Sequence, residues 1–577
     1  MESLPDRPAQ PDSAAPAGRG LNRILRPQPV TTVLVVVALL LLVVCPLASL
    51  VFGSVTDAHG LTLRHFASAL SDPLYLVPLW NSVELGVLTG FFSALVGVPL
   101  AWAISRTNVP AKGFIQAVVN LSYISPPFLT AIAYVYLLSP RAGLINAFLR
   151  DVVGAPWLTV NVFSMAGLVL VTVIHTFPFV FLLASSALQS VDASYEEAAQ
   201  ILGAGKLRTA LSVTFPLVAP AILSGVLLAF VNAIALFGSQ AIIGLPGRVV
   251  TLTTRIYSLF DYPPQYGVAS ALSLIFVAIT MAALFAQRRF LARRSYVTLA
   301  GKGSRVQLLD IGPGRWLLLA FCVLVALVAL VAPYGTLIAV SLSKSWGLAF
   351  WKHLTLANYR FVLTESGTRR AILNSLYLAT AAASLVVALG ALIAWIDLRT
   401  RLRGRWVLDY VALIPLGLPG MVMAVALLQF WLRLPLALYG TLTILLLAYV
   451  GRYVPLGTRA ANTSLRQVDA SLEESAGILG ASWGRTMREI TLPLIRPGLM
   501  AGWLLVFVPA IQELSASILL FSSKSVTIAV EIYNLYDTGY TEAVAALAMV
   551  NMMIIALAIW AVRKAGHVRV ARFGGTP

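Results

Sequence analysis

Charged residues are scarce in this chain. Asp, Glu, Lys and Arg make up 11% of its 577 residues, whereas hydrophobic residues make up 59%. Soluble proteins carry roughly 25% charged residues. A chain this apolar cannot bury its hydrophobic surface in a water-soluble fold, so its composition excludes a soluble enzyme and a disordered protein.

Cysteine and acidic residues are also few. The two cysteines, Cys45 and Cys322, lie inside long apolar runs, which excludes a disulfide framework and a cysteine metal cluster. The 23 acidic residues are outnumbered by 41 Lys and Arg, and the net charge is +18. Such a basic balance can indicate nucleic-acid binding. The positions of the basic residues decide whether another explanation is better.

Long apolar runs are what the sequence has instead. A helix needs about 20 apolar residues to cross a bilayer. The runs predict an all-α membrane protein with about 12 transmembrane helices, and they cover residues 31–52, 79–104, 114–138, 164–188, 216–243, 266–286, 316–341, 372–396, 407–432, 438–458, 497–521 and 543–562. The run 438–458 is the least clean because it contains Arg452.

Basic residues concentrate in alternate connecting segments. If the N-terminus is cytoplasmic, 28 of the 41 Lys and Arg lie in the inside segments 1–30, 105–113, 189–215, 287–315, 397–406, 459–496 and 563–577. Cytoplasmic loops of membrane proteins carry this excess. The distribution predicts that both termini are cytoplasmic, and it explains much of the basic charge without a nucleic-acid partner.

The chain contains an internal repeat. Residues 191–225 align without gaps on 468–502, at an offset of 277, with 18 of 35 positions identical. A second block aligns at an offset of 293, so that Asn81 matches Asn374 and Arg106 matches Arg399. We predict two parallel six-helix repeats related by an axis along the membrane normal. Their bounds are 31–286 and 316–563, with a cytoplasmic linker at 287–315 and cytoplasmic tails at 1–30 and 564–577.

The most similar block forms a polar loop on the predicted cytoplasmic side of each repeat. We name residues 191–215 the first duplicated loop and residues 468–492 the second. Each predicts a short helix, a turn and a second helix. An Asp begins the short helix as N-cap, a Gly ends it, and a Pro stands near the start of the next membrane helix.

The spacing in these loops resembles the EAA loop of ABC-transporter permeases. The residues that carry the resemblance are Glu197, Ala198, Ala199, Gly203 and Pro216 in the first copy and Glu474, Ser475, Ala476, Gly480 and Pro493 in the second. Ser475 departs from the pattern by replacing an Ala. The resemblance implies an inner-membrane permease of a bacterial binding-protein-dependent importer. Its loops would dock on two cytoplasmic ATPase subunits, and an extracytoplasmic solute-binding protein would deliver the solute.

The chain has no P-loop of its own. Residues 203–207 and 301–304 combine Gly and Lys but lack the spacing that cradles nucleotide phosphates. ATP and Mg²⁺ are therefore expected on the partner subunit, with no cofactor on this chain. A secondary transporter, the alternative of another class, would have no use for two such loops.

The second half also resembles permeases of the ferric-iron uptake type. The resemblance rests on residues 507–520 and on residues 354–359. It implies ferric iron as the solute. Importers of 2-aminoethylphosphonate, polyamines or thiamine remain alternatives, because related permeases carry these solutes.

Polar and ionisable residues inside the predicted spans are candidates for the transport path. Glu513 lies in an oxygen-rich run, where it either lines the path or pairs with a buried cation. Arg452 argues against a bare metal ion beside it and suits a chelated or anionic solute or a salt bridge. No metal site is fixed by the sequence. The candidate path residues are Glu513, Gln512, Ser515, Ser517, His175, Arg452 and Glu84.

Overall fold

The computed structural model describes residues 29–293, 308–435 and 437–566, and the described chain is predominantly helical. The predicted tails and the centre of the predicted linker lie almost entirely outside these ranges. The helix Tyr266–Arg293 continues past the boundary predicted at 286.

The two halves share one order of helices with two exceptions: Leu144–Asp151 has no counterpart in the second half, and Ser517–Leu520 takes the place of a π turn in the first. In the first half the α-helices are Pro29–Leu39, Cys45–Ser54, Arg64–Ser71, Pro73–Arg106, Lys112–Ile124, Pro127–Leu138, Leu144–Asp151, Met165–Ser190, Ala193–Ile201, Lys206–Thr209, Phe215–Ala235, Leu252–Ser258 and Tyr266–Arg293. In the second half they are Gly314–Ala326, Ala332–Leu342, Ala357–Thr364, Ser366–Arg399, Arg405–Leu413, Gly420–Leu432, Leu442–Leu465, Ala470–Ile478, Trp483–Thr486, Leu492–Ile511, Ser517–Leu520, Ile528–Asp537 and Thr541–Gly566.

Shorter elements connect these helices. Two strands, Thr56–Asp57 and Gly60–Leu61, form an antiparallel hairpin. The 3₁₀ turns are Pro156–Leu158, Phe350–Lys352 and Ile414–Gly417, and the π-helical turns are Leu40–Val44, Ala210–Thr214, Gln240–Gly244, Leu327–Val331 and Met487–Thr491. Four of the π turns lie just before a proline near the start of the next helix: Pro46, Pro216, Pro333 and Pro493. Because proline has no N–H, it cannot satisfy the carbonyl four residues earlier, and a wider turn forms there.

Nine helices of the described chain are long and apolar enough to cross a membrane, or up to eleven if two bent helix pairs each count as one span. The predicted spans 114–138 and 407–432 are these pairs, bent by 101° and 115°. Pro126 and Pro419 explain the breaks, because a residue before proline avoids the helical region. Ser125 and Leu418 are accordingly extended.

The span predicted at 438–458 needs a correction. A helix does cover this region, Leu442–Leu465, but it is not among those that qualify by length and apolar composition. It contains Arg452 and Arg459. At an offset of 277 it matches Met165–Ser190, and it packs on Ser366–Arg399 as Met165–Ser190 packs on Pro73–Arg106. Packing against other helices, rather than its own hydropathy, places it in the bundle.

Polar contacts define two ends of the bundle. At the end that we call the loop end, Arg106 Nη2 donates to the carbonyl of Val191 at 2.5 Å. The N–H of Leu309 donates to the carbonyl of Arg106 at 2.8 Å. The segments 105–113 and 189–215 and the end of the linker therefore meet there, as the charge distribution predicts for one side of a membrane.

The opposite end, which we call the far end, is held by two equivalent asparagines. Asn81 Nδ2 donates to Val250 O at 2.8 Å, and Asn374 Nδ2 donates to Val526 O at 2.9 Å. The first bent pair begins near the loop end, and its Tyr136 donates to the carbonyl of Thr541 at the far end. This pair therefore runs from one end to the other as a broken span.

The first spanning helix of each half packs against the other half. Cys45–Ser54 contacts Gly420–Leu432, while Ala332–Leu342 contacts Pro127–Leu138. The Tyr134 hydroxyl donates to the carbonyl of Val328 at 2.7 Å. This exchange joins the two repeats into one body.

Glycine allows the central helices to approach closely. A Cβ added at Gly390 would lie 2.4 Å from the carbonyl carbon of Gly457, and one at Gly97 would lie 2.9 Å from the carbonyl oxygen of Phe177. Gly97 and Gly390 match at the offset of 293. Small residues at helix crossings are typical of membrane bundles.

We therefore expect Gly390→Ala to destabilise the protein, because the added methyl group meets backbone. The free energy of unfolding should fall by about 1–3 kcal/mol, measured as a lower melting temperature in detergent. Gly335→Ala is the matched control, since Gly335 also lies in a spanning helix but an added Cβ meets nothing within 4 Å. Equal melting temperatures for the two variants would contradict the close-crossing argument.

Candidate functional site: the duplicated loops and the centre of the bundle

The two duplicated loops have the same structure. Each forms a nine-residue helix, Ala193–Ile201 or Ala470–Ile478, followed by a turn and a four-residue helix. Gly203 and Gly480 form the turns with φ of +87° and +83°. Side chains are strained at such angles, so glycine is required. The predicted helix–turn–helix is thus present in both copies.

An aspartate begins each loop helix. The Asp192 carboxylate accepts a hydrogen bond from the N–H of Ser194 at 2.9 Å, and Asp469 accepts one from Ser471 at 2.9 Å. These backbone hydrogen bonds favour the ionised form, so they hold the pKa of both carboxyls below its usual value. The caps fix where each helix starts.

The loop residues expected to meet a partner are largely exposed. Glu197, Ala198, Glu474 and Ser475 are exposed, Ala199 is half-buried and Ala476 is buried. Beside them stand large apolar side chains that the fold leaves uncovered: Leu202 and Leu479 are 87% and 86% exposed. Pro216 and Pro493 begin the following spans, as predicted. Adjacent exposed apolar side chains at the loop tip are typical of a protein-binding surface.

A buried ion pair, which sequence reasoning missed, attaches each loop to the bundle. Arg106 lies 3.6 Å from Glu196, and Arg399 lies 3.4 Å from Glu473. In each copy a threonine hydroxyl also donates to the glutamate, Thr214 at 2.7 Å and Thr491 at 3.0 Å. We name these groups the first clasp (Arg106, Glu196, Thr214) and the second clasp (Arg399, Glu473, Thr491). Both repeat blocks contain these residues at matching positions, so the signal was present in the sequence.

The second clasp has more hydrogen bonds than the first. Trp395 Nε1 and Arg399 Nε each donate to Glu473 at 3.4 Å, whereas in the first clasp Arg106 Nε has no hydrogen-bond partner among the described residues. Trp102 matches Trp395, yet its buried Nε1 has no hydrogen-bond partner in the described part of the chain. The two loops are therefore held by equivalent residues, but the first clasp lacks the tryptophan hydrogen bond that the second clasp has.

Glu513, the principal path candidate, is surrounded by donors of its own chain. Arg452 lies 3.3 Å from its carboxylate, the Tyr453 hydroxyl donates to it at 2.5 Å, and the N–H of Ala516 donates to it at 2.9 Å. Each carboxylate oxygen has two such contacts. Of the two roles considered for Glu513, this geometry favours the buried structural pair.

Arg452 occupies the break of the second bent pair. A Cβ at Gly420 would lie 1.3 Å from Arg452 Nη1, so only glycine leaves room for the guanidinium. His175 matches Arg452 at the offset of 277 and lies beside the backbone of Ser125, at the break of the first bent pair. The two equivalent basic residues therefore lie at the two equivalent helix breaks.

The other path candidates are distributed differently. Gln512 donates to the carbonyl of Ile124 at 3.1 Å, also at the first break. Ser517 donates to the carbonyl of Glu513 at 2.8 Å, and Ser515 is buried nearby in sequence. Glu84 is exposed on Pro73–Arg106. The structure thus places Glu513, Arg452 and Ser517 together, and Gln512 and His175 at the other break.

An aromatic group joins the two repeats toward the far end. The ring of Phe237 lies 5.1 Å from the ring of Tyr257 and 6.2 Å from the ring of Tyr533. Phe237 is fully buried. Tyr257 belongs to Leu252–Ser258 and Tyr533 to Ile528–Asp537, the equivalent far-end helices. Among the described residues, no group of three or more His, Cys, Asp or Glu could hold a metal ion.

Comparison with known proteins decides the family. The family of binding-protein-dependent transport system inner membrane components matches residues 86–296 and 386–565, more than half of the chain. The chain belongs to this family. It is a multi-pass membrane permease and a transport subunit, and the predicted duplication corresponds to the two matched regions.

Relatives of the permease include proteins named for iron and for molybdenum. It is 27% identical over 545 residues to the ferric transport system permease protein FbpB of Actinobacillus pleuropneumoniae, covering 92% of this chain and 77% of that protein. It is 23% identical to the Fe(3+)-transport system permease protein FbpB 2 of Haemophilus influenzae, over 91% of this chain and 97% of that one. The molybdenum transport system permease protein ModB of Escherichia coli is 32% identical over 37% of this chain and 92% of its own.

The turn glycines of the permease supply one test. Gly480→Val should weaken binding of the cognate ATPase subunit about tenfold. A branched side chain is strained at positive φ, so the loop shifts away from its binding conformation, and restoring that conformation costs more than about 1 kcal/mol of binding free energy. Gly484→Val is the matched control, because Gly484 lies in the same loop at an ordinary φ with open space around it. Surface plasmon resonance on the detergent-solubilised permease measures both. Unchanged binding by Gly480→Val would contradict the assignment of the second duplicated loop as a binding surface for the ATPase subunit.

The pair at the centre supplies another. Glu513→Gln should lower the free energy of unfolding by about 1–3 kcal/mol, because Arg452 loses its counter-charge. The measurement is the melting temperature in detergent, compared with Glu84→Gln, the same change on an exposed carboxylate. A stable Glu513→Gln protein with slowed solute uptake would instead assign Glu513 to the transport path.

Proposed function

We propose that this protein is the transmembrane permease subunit of an ATP-driven importer for ferric iron. The observation that carries the solute assignment is the extent of the resemblance: relatives named for ferric transport match more than nine-tenths of the chain. The molybdenum relative is shorter and matches one repeat-sized region, which is 37% of this chain and 92% of its own length. Ferric iron enters here as cargo, and the permease forms no covalent bond with it.

The duplicated loops support two ATPase partners. Each loop presents exposed apolar side chains at the loop end, and there are two such surfaces. Each would take one cytoplasmic ATPase subunit, which holds the ATP and Mg²⁺, while the permease itself carries no cofactor. A solute-binding protein would deliver iron at the far end. When the ATPases close, the loops move and the Phe237 group separates.

The test is uptake by the reconstituted transporter. Proteoliposomes that contain the permease and its cognate ATPase, with the binding protein outside, should accumulate labelled ferric iron only when ATP is present in the lumen. In these vesicles the permease is oriented with its loop end facing the lumen. Molybdate, 2-aminoethylphosphonate, a polyamine and thiamine are offered separately. Accumulation of one of these in place of iron would refute the iron assignment and retain the importer assignment.

Orientation in the membrane can be tested independently. We propose that the loop end and both termini face the cytoplasm. The proposal is supported by the distribution of Lys and Arg along the sequence and by the described basic segments 105–113 and 189–215, which lie at the loop end. In a background without Cys45 and Cys322, Ser190→Cys and Ser366→Cys place single thiols at exposed positions of opposite ends. An impermeant maleimide added to intact cells should label position 366 and leave position 190 unlabelled. The reverse pattern would overturn the orientation.

A further inference from the structure

Each repeat contains one long helix that touches both ends of the bundle. Pro73–Arg106 and Ser366–Arg399 have 34 residues each, and a helix of this length spans about 50 Å. The last residue of each is the arginine of a clasp. Each long helix therefore ends on a duplicated loop.

The same helices hold the far-end segments through side chains near their other end. Besides the asparagine contacts, the N–H of Leu252 donates to Ser82 Oγ at 2.7 Å, and the N–H of Ile528 donates to Ser375 Oγ at 2.7 Å. These contacts fix the first turn of the helices that carry Tyr257 and Tyr533. The helices held in this way are the ones that close on Phe237.

The contacts at the two ends of each long helix are of different kinds, and both kinds resist displacement of the segment that they hold. The clasp is an ion pair with buried side chains, Arg399 being 12% and Glu473 3% exposed. Charges taken out of water tolerate separation poorly, because neither is resolvated. The far-end contacts are hydrogen bonds to backbone, which hold the segment's position. Ser366–Arg399 is continuous and contains no proline, so it has no break at which a displacement would be absorbed. Pro73–Arg106 is also continuous but contains Pro78 and Pro99.

We propose that the two clasps are positioning sites that transmit movement of each duplicated loop through its long helix to the far-end segment beside Phe237. The proposal rests on the proposed function, since the loop is moved by the ATPase. The clasp residues touch no solute. Their role is to make loop, long helix and far-end segment one cooperative unit.

The second clasp is suited to a test because both charges can be removed together. The double variant Arg399→Leu with Glu473→Leu avoids leaving one buried charge unpaired. Amide hydrogen exchange is measured by mass spectrometry on the full-length permease in lipid nanodiscs, without any partner. We expect faster exchange in residues 470–480 and also about fivefold faster exchange in residues 523–531, at the opposite end of the long helix.

A second ion pair in the same loop gives the matched control. Arg485 and Glu489 are 3.0 Å apart and exposed, and neither belongs to a clasp. Arg485→Leu with Glu489→Leu should leave exchange at 523–531 at the unsubstituted rate. If the clasp variant loosens only the loop, or if the control loosens 523–531 equally, the transmission proposal is overturned.

ATP hydrolysis tests the same proposal in the assembled transporter. At saturating ATPase subunit, stimulation of hydrolysis by iron-loaded binding protein should fall about tenfold in the clasp variant. Stimulation at the unsubstituted level would overturn the proposal. If the unsubstituted permease itself shows no stimulation, the proposed function fails, and the exchange measurement alone decides the role of the clasp.

Discussion

The buried pair between the end of each long helix and its duplicated loop is the constraint from which the rest of the loop end follows. Arg106 is fully buried, and burial of a guanidinium is unfavourable unless a carboxylate and further acceptors surround it. Glu196 and the carbonyl of Val191 supply these contacts, and both belong to the loop. The helix end and the loop therefore stabilise one another, and the exposed face of the loop points away from the bundle.

Proline explains why the spans are not simple rods. In each repeat a proline stands in the middle of one span, Pro126 or Pro419, and the preceding residue turns out of the helix. The break exposes backbone groups, and side chains of the other elements fill it: Arg452 over Gly420, and Gln512 at Ile124. Irregular backbone at this depth is tolerated when it is buried within protein. The helix breaks thus place polar groups at the centre of the bundle.

Much of this arrangement could be predicted from the sequence, and the remainder could not for identifiable reasons. Offsets between repeats and glycine spacing predicted both loops, because these depend on local backbone geometry. The bends at Ser125 and Leu418 were not expected, since an apolar run gives no direction for the chain after a proline. The helix Leu442–Leu465 is less apolar than the other spans because it contains Arg452 and Arg459, and packing on Ser366–Arg399 places it in the bundle. The clasps were not predicted because Glu196 and Glu473 adjoin Glu197 and Glu474, the glutamates of the EAA spacing. Sequence alone does not say which of two neighbouring carboxylates is buried.

The repeat also shows where the two halves differ chemically. Position 513 carries a glutamate, whereas its counterpart at the offset of 277 is Leu236, and Arg452 is matched by His175. The backbone is duplicated, but the charged pair is present in the second half alone at these positions. A chain with both repeats fused can diverge in this way, because each copy mutates separately. The centre of the bundle therefore contains the paired Arg452 and Glu513 on one side and no matching carboxylate at Leu236 on the other. The centre has pseudo-symmetric shape and asymmetric charge.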